Sequence, residues 1–277
     1  MKKKSIVKII VNFIFIIIIA MSVAYIIRLF LLRREAIEES MLLNQISLTD
    51  SEINEIAVQE EEQAKDNTIR QEEEAKQIKE KEKKERMLKV KKLQEINTDI
   101  VGWIQIEGTN INYPVLQGED NEYYLNHNYK KQKTEKGSIF LDKSYNWDIE
   151  SNNLIIYGHN LVNGQMFKDL LKYSKEEFFE QHKTIRFTTA EADKEYEIIS
   201  VFKSKVYNKT EKNVFRYYDF INSKSEKEYN NFVKQAKEAS LYDTKNTAEY
   251  GDNLITLITC AYHIDDGRFV VIAREKE

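Results

Sequence analysis

The chain has one cysteine, Cys260, so no intramolecular disulfide can hold it together. One proline and eight glycines in 277 residues leave no material for a Pro/Gly-rich linker. A basic surplus is also missing. The net charge is -4, and a nucleic-acid partner, which calls for a basic face, is not expected. No G-x-S-x-G elbow announces a serine hydrolase. The four histidines show no H-x-x-x-H spacing, the acidic residues form no calcium-loop pattern, and a single thiol does not make a structural zinc site. Neither a metal nor an organic cofactor is expected. There is no internal repeat.

The chain does have one long hydrophobic run. Residues 9–27 contain only Asn12 and Ser22 as polar interruptions, and no charge appears before Arg28. That is about the 20 apolar residues needed to cross a bilayer core. The flank after it carries Arg33 and Arg34 and no A-x-A-like cleavage site, so the run reads as an uncleaved signal anchor over 9–32. Lys2, Lys3, Lys4 and Lys8 favour a cytoplasmic N-terminus, residues 1–8, with the bulk of the chain outside a cell membrane crossed once. Residues 33–96 are different. From 35 onward they lack Gly and Pro and are rich in Glu, Lys and Gln. Glu72 and Lys76, Glu80 and Lys84, Glu82 and Arg86, and Glu85 and Lys89 are oriented i,i+4 pairs. Apolar residues are too sparse for a heptad seam until Met87, Leu88, Val90, Leu93 and Ile96 restore a helical stripe. The expectation is a long, charged, helical stalk whose last turns dock on the C-terminal domain, with a wholly disordered linker as the competing reading.

From 97 to 277 the pattern changes to short β-like runs bounded by turn signals. Runs over 101–106, 111–116, 137–142, 154–157, 184–189, 196–204, 254–259 and 269–273 read as strands. Pro114 marks an edge or a bend. Segments 165–171 and 175–182 read as short helices, and 223–240 has helical spacing at Tyr229, Phe232, Val233 and Ala236. The expected class is mainly β, a barrel or sandwich with inserted helices.

A lone cysteine in a strand is ordinarily a core residue. Cys260 closes the apolar, β-branched run 254–259, and Arg268 opens a second run eight residues on, which reads as a hairpin. His159 ends an apolar strand next to Gly158, where a side chain is presented rather than packed. His127 lies in a polar stretch and His182 follows a charged helix, so both read as surface residues. His263, three residues after the cysteine, stays open from spacing alone.

Tyr157-Gly-His159-Asn, Thr256-Leu-Ile-Thr-Cys260 and Arg268, in that order, resemble the sortases. The segments Asp99-Ile-Val-Gly-Trp-Ile, Asn110-Ile-Asn-Tyr-Pro-Val-Leu-Gln-Gly and Asp120-Asn-x-x-Tyr-Leu resemble class B sortases in particular. The resemblance covers about 97–274. It implies an eight-stranded sortase-like β-barrel with inserted helices, behind a transmembrane helix and stalk, on the outer face of a Gram-positive cell. It implies a cysteine transpeptidase that cleaves a C-terminal sorting signal of N-P-x-T-x or P-x-T-G type after its Thr. The implied partners are surface proteins bearing that signal and an amino group of a lipid II-like peptidoglycan precursor. Cys260 is the implied nucleophile, His159 the base and then acid, and Arg268 the oxyanion or carbonyl donor. Family substrate contacts fall on Asn121, Leu125 and Tyr157, and Thr259 shapes the pocket beside the thiol. Two departures stand out: Ile258 replaces the Ser of the commoner T-L-S-T-C, and Ala261 stands where some members carry an acidic residue. Asp265 and Asp266 read as a solvated loop pairing with Arg268 or Lys side chains, ahead of a triad role. A thiol peptidase that uses water as acceptor shares the same first step and is not separated from the transpeptidase by sequence; an inert membrane-tethered scaffold is the non-enzymatic alternative.

Overall fold

A computed structural model of the protein describes residues 2–45, 50–149 and 151–276. The chain divides into two compact units, Met1–Ala75 and Lys76–Glu277. In the first, helix α1 (Lys2–Gln45) runs through the whole expected span at 9–32. Its stretch Ile16–Glu38 has mean hydropathy 2.2 and no buried side chain within the unit, long and apolar enough to cross a membrane. Ser22 turns its hydroxyl back onto the Ile18 carbonyl at 2.8 Å, so the polar side chain is satisfied within the helix. Side chains before Ile16, and residues 46–49 of the expected stalk, lie outside the described residues. Helix α2 (Asp50–Gln94) continues the chain across the boundary between the units.

Within the second unit, the final turns of α2 pack on a barrel, as their apolar stripe suggests. Val90 is fully buried, and Leu93 lies against a cluster of Ile100, Leu116, Tyr124 and Phe140. The Lys89 ammonium sits 3.2 Å from the Trp103 ring centroid. Arg86 pairs with Asp193 at 2.8 Å.

Eight strands close the barrel: β1 (Ile100–Gln105), β2 (Asn112–Leu116), β3 (Ile139–Leu141), β4 (Asn153–Tyr157), β5 (Thr184–Thr188), β6 (Asp193–Lys205), β7 (Leu254–Cys260) and β8 (Gly267–Glu275). Their order is β1-β2-β3-β4-β7-β8-β6-β5, with β5 pairing back to β1, so no long edge is left open. The β2–β3 and β4–β7 pairs are parallel, and the other pairs are antiparallel. β6 extends beyond the alternating run in the sequence. Its charged start, Asp193–Glu195, is held by the β5 ladder and by the Arg186–Glu195 pair. The expected helix at 165–171 is instead a 3-10 segment, Phe167–Ser174, which runs into helix α3 (Glu176–Gln181).

Strand alternation sorts the core into two layers. Ile255 and Leu257 of β7 and Phe269, Val271 and Ala273 of β8 point into the barrel. Leu254, Ile258, Val270 and Ile272 point outward, where helix α4 (Glu226–Ala239) covers them with Tyr229, Phe232, Val233 and Ala236. Both faces of β7 are therefore buried, which is why it reads as a continuous apolar run. The Ser225 side chain caps α4 by accepting from Glu228 N, while the Glu228 carboxylate accepts from Lys224 N.

Phe232 stacks on Phe220 at 4.0 Å between α4 and the barrel. Phe232→Ala is expected to cost about 3–5 kcal/mol in denaturant unfolding. Lys234→Ala, on the exposed side of α4, should stay within about 0.5 kcal/mol.

Candidate active site

Topology sets the site. Because β4 and β7 are parallel, both chains leave the barrel at the same end, with Tyr157 beside Ile258. Because β8 is antiparallel to β7, its start returns to that end, and Arg268 is the direct cross-strand partner of Cys260. Strand parity then gives a common face. Cys260 follows Ile258, Arg268 precedes Val270, and Tyr157 follows Ile155, all on the outward, α4-covered side of their strands. Two glycines make the close approach possible. A Cβ on Gly158 would lie 2.4 Å from Ile139 Cδ1, and one on Gly267 would lie 2.1 Å from the Ala261 carbonyl.

The result is a cavity of about 320 Å³ on the outer barrel face. Asn121, Leu125, Tyr157, His159, Thr259, Cys260 and Arg268 all line it, so one cavity gathers every site residue singled out in the sequence. Phe140, Gly158, Val206, Tyr217, Tyr218 and Ile258 complete the wall.

His159 Nε2 lies 2.7 Å from the Leu125 carbonyl. A carbonyl only accepts, so Nε2 carries the proton and Nδ1 is left as the basic nitrogen of the neutral ring. Arg268 Nη1 donates to the Gly267 carbonyl at 3.0 Å. Among the described residues it forms no ion pair, and its positive charge is uncompensated by a carboxylate contact. Thr259 is 1% exposed and gives its hydroxyl to the Gly158 carbonyl at 2.8 Å.

The sequence reading missed Asp142, which organises two of the expected substrate contacts. Its Oδ2 accepts from Asn121 Nδ2 at 2.8 Å and from the Tyr157 hydroxyl at 2.9 Å. Burial, and then the Asp142 charge, push the Tyr157 hydroxyl far above the usual phenol range, so it stays a donor at all working pH values. A charged residue ending the apolar segment 139–141 was the available signal. Tyr217 was missed as well. It is fully buried, and its hydroxyl has no hydrogen-bond partner among the described residues.

The remaining histidines lie elsewhere. His127 stacks on Tyr123 at 4.0 Å. His182 is half-buried rather than on the surface, because Phe178 stacks on it and Nδ1 meets the Phe178 carbonyl at 2.8 Å. His263 is on the exposed β7–β8 loop, with Nδ1 3.0 Å from the Ala261 carbonyl, and does not line the cavity. Asp265 and Asp266 are exposed on the same loop and form no ion pair with Arg268 among the described residues. No group of three or more potential metal ligands occurs among the described residues.

A thiol, an imidazole and a guanidinium on one face of a closed barrel is the equipment of a thiol-dependent acyl-transfer enzyme. Comparison with known proteins narrows that class. The sortase domain family model matches residues 104–276. The chain is 36% identical over 181 residues to sortase B of Listeria monocytogenes, covering 65% of this chain and 70% of that one. It is 36% identical over 184 residues to sortase B of Staphylococcus aureus, covering 66% and 72%. Among solved structures, a Staphylococcus aureus sortase B–substrate complex superposes with a TM-score of 0.61 at 33% identity, over 68% of this chain and 84% of that one. Clostridium perfringens sortase B gives 0.60 at 33% identity, over 68% and 99%. The chain belongs to the sortase family, in its class B branch, and is a cysteine transpeptidase.

Asp142→Ala would release both Asn121 and Tyr157. The expected outcome is a KM for peptide substrate raised about ten-fold, the scale of one or two lost buried hydrogen bonds, with kcat less affected. Steady-state peptide cleavage checks it.

Proposed function

We propose that the protein is a membrane-anchored transpeptidase that cleaves a C-terminal sorting signal of N-P-x-T-x or P-x-T-G type and joins the released protein to an amino group of a cell-wall precursor. The observation that carries the reading is the direct cross-strand pairing of Cys260 with Arg268 in the cavity that His159 also lines. The Cys260 thiolate attacks the carbonyl carbon of the signal's Thr. A C–S bond forms, the carbonyl oxygen becomes an oxyanion, and the Arg268 guanidinium donates to it. The C–N bond then breaks as the imidazolium of His159 passes its proton to the leaving amine, giving a thioester. An acceptor amine attacks that thioester and gives up its proton to the imidazole. An amide forms and the thiolate is restored. Asn121, Leu125, Tyr157 and Thr259 line the space in which the signal would lie.

The apolar span in α1 and the lysines before it support a single-pass anchor with a cytoplasmic N-terminus and the barrel outside. Residues 33–96 would then act as the spacer between membrane and catalytic domain.

Cys260→Ala should abolish cleavage of a sorting-signal peptide, and Arg268→Ala should lower kcat about 10²–10³-fold. With an added amine nucleophile, mass spectrometry should find the new amide. Hydrolysis alone, at every amine concentration, would replace the transferase reading with a peptidase. Protease added to intact cells should remove the barrel domain, and survival of that domain would overturn the orientation.

A further inference from the structure

The β4–β7 ladder stops at Tyr157 and Ile258, two residues before His159 and Cys260. The backbone adds one more bond, Gly158 N to the Ile258 carbonyl at 3.1 Å. Past that point two side chains continue the stitching. Thr259, just before the thiol, gives its hydroxyl to the carbonyl of Gly158, just before the imidazole. Asn160, just after the imidazole, gives its Nδ2 to the carbonyl of Cys260 itself at 2.9 Å. The two bonds cross between the strand ends in opposite senses, one on each side of the His159–Cys260 pair.

We propose that Asn160 is a positioning residue: its amide holds the Cys260 main chain against the His159 segment and sets the spacing of thiol and imidazole. Asn160 is 8% exposed, and the loop it opens is pinned behind it by bridging to Met166 and by Phe167 N donating to the His159 carbonyl at 2.9 Å. The side chain therefore has a rigid base. Its Oδ1 is buried without a hydrogen-bond partner among the described residues. The amide satisfies its donor side and leaves its acceptor side empty, so the donor is what this position requires. An unpaired buried acceptor is costly, and a position that tolerates it gains something from the donor. The proposal rests on the reading of Cys260 and His159 as the reacting pair.

Because Cys260 is the chain's only cysteine, alkylation of the full-length protein by iodoacetamide reports one site, and its pH dependence reports the thiolate. Asn160→Ala and Asn160→Leu, which is close to the amide in size and loses the donor without adding charge, are compared with the parent and with His159→Ala. The expected result has three parts. The Asn160 variants unfold at nearly the parent temperature. Their alkylation profiles move toward that of His159→Ala, with kcat for peptide cleavage down about 10- to 100-fold and KM little changed, the scale of a small misplacement of reacting groups. In the His159→Ala background, Asn160→Ala adds no further shift, because it acts through the histidine. An alkylation profile that superimposes on the parent's, or a shift that adds fully to that of His159→Ala, would overturn the proposal. Cys260→Ala separates the two readings. If that variant still cleaves peptide, the reacting pair is misassigned; if it is inactive while the Asn160 profiles match the parent, only the positioning role fails.

Discussion

The parallel pairing of β4 with β7 is the constraint on which the rest of the site depends. Parallel neighbours cannot be joined by a tight turn, so the chain between them, residues 158–253, must cross over. In this protein that crossover holds β5, β6, α3 and α4. The return brings His159 and Cys260 to one end of the barrel although about a hundred residues separate them in sequence. An antiparallel pairing would have sent them to opposite ends. The same pairing explains the burial of β7 on both faces. The barrel interior takes Ile255 and Leu257, and α4, delivered by the crossover, takes Leu254 and Ile258. Core packing and site geometry are thus one problem with one solution.

Within that frame, charge is kept sparse. The cavity wall near the thiol is mainly apolar or aromatic: Leu125, Phe140, Val206, Tyr217 and Ile258. Asp142, just behind it, is occupied by Asn121, Tyr157 and the Ser144 N–H. Arg268 is left with a backbone carbonyl as its hydrogen-bond partner and no carboxylate contact among the described residues. A cation in such surroundings acts more strongly on a developing oxyanion than one already paired or in open water. In the proposed reaction the guanidinium is free to meet charge when it forms.

Much of this was legible in the sequence, and the parts that were not have a physical cause. The run ending at Cys260 stood out because a strand buried on both faces must be apolar at every position. The stripe at the end of α2 foretold docking, although only Val90 is fully buried while Leu88 and Ile96 remain exposed. One face of a helix end meets the barrel, and spacing alone does not say where contact stops. Pairing order was not legible. Nothing in residues 153–157 and 254–260 states that those strands are neighbours, or that they are parallel. Asp142 and Asn160 were missed for the same reason: each acts across a contact between segments distant in sequence, so neither the charge that ends the run 139–141 nor the Asn of the Gly-His-Asn turn tells what its side chain meets. Thr259 was singled out beside the thiol, but its hydroxyl partner, the Gly158 carbonyl, appears only once β4 and β7 are side by side.

The two departures from the commoner motif make sense by position. Ile258 is 3% exposed and packs in the layer beneath α4 while also lining the cavity. A Ser there would remove apolar packing from the α4 layer and place a hydroxyl in the cavity wall. The choice of Ile joins the cavity wall to the core on which α4 rests. Ala261 is 5% exposed and belongs to the inner barrel cluster, with its N–H bonded to Gly267 and its carbonyl close over the same residue. A carboxylate at that position would be buried with no cation shown in contact, at a cost of several kcal/mol. The close approach is at Gly267, where a Cβ would lie 2.1 Å from the Ala261 carbonyl, so position 267 takes no side chain. Ala261 thus keeps the barrel end apolar next to the β7–β8 turn that joins Cys260 to Arg268.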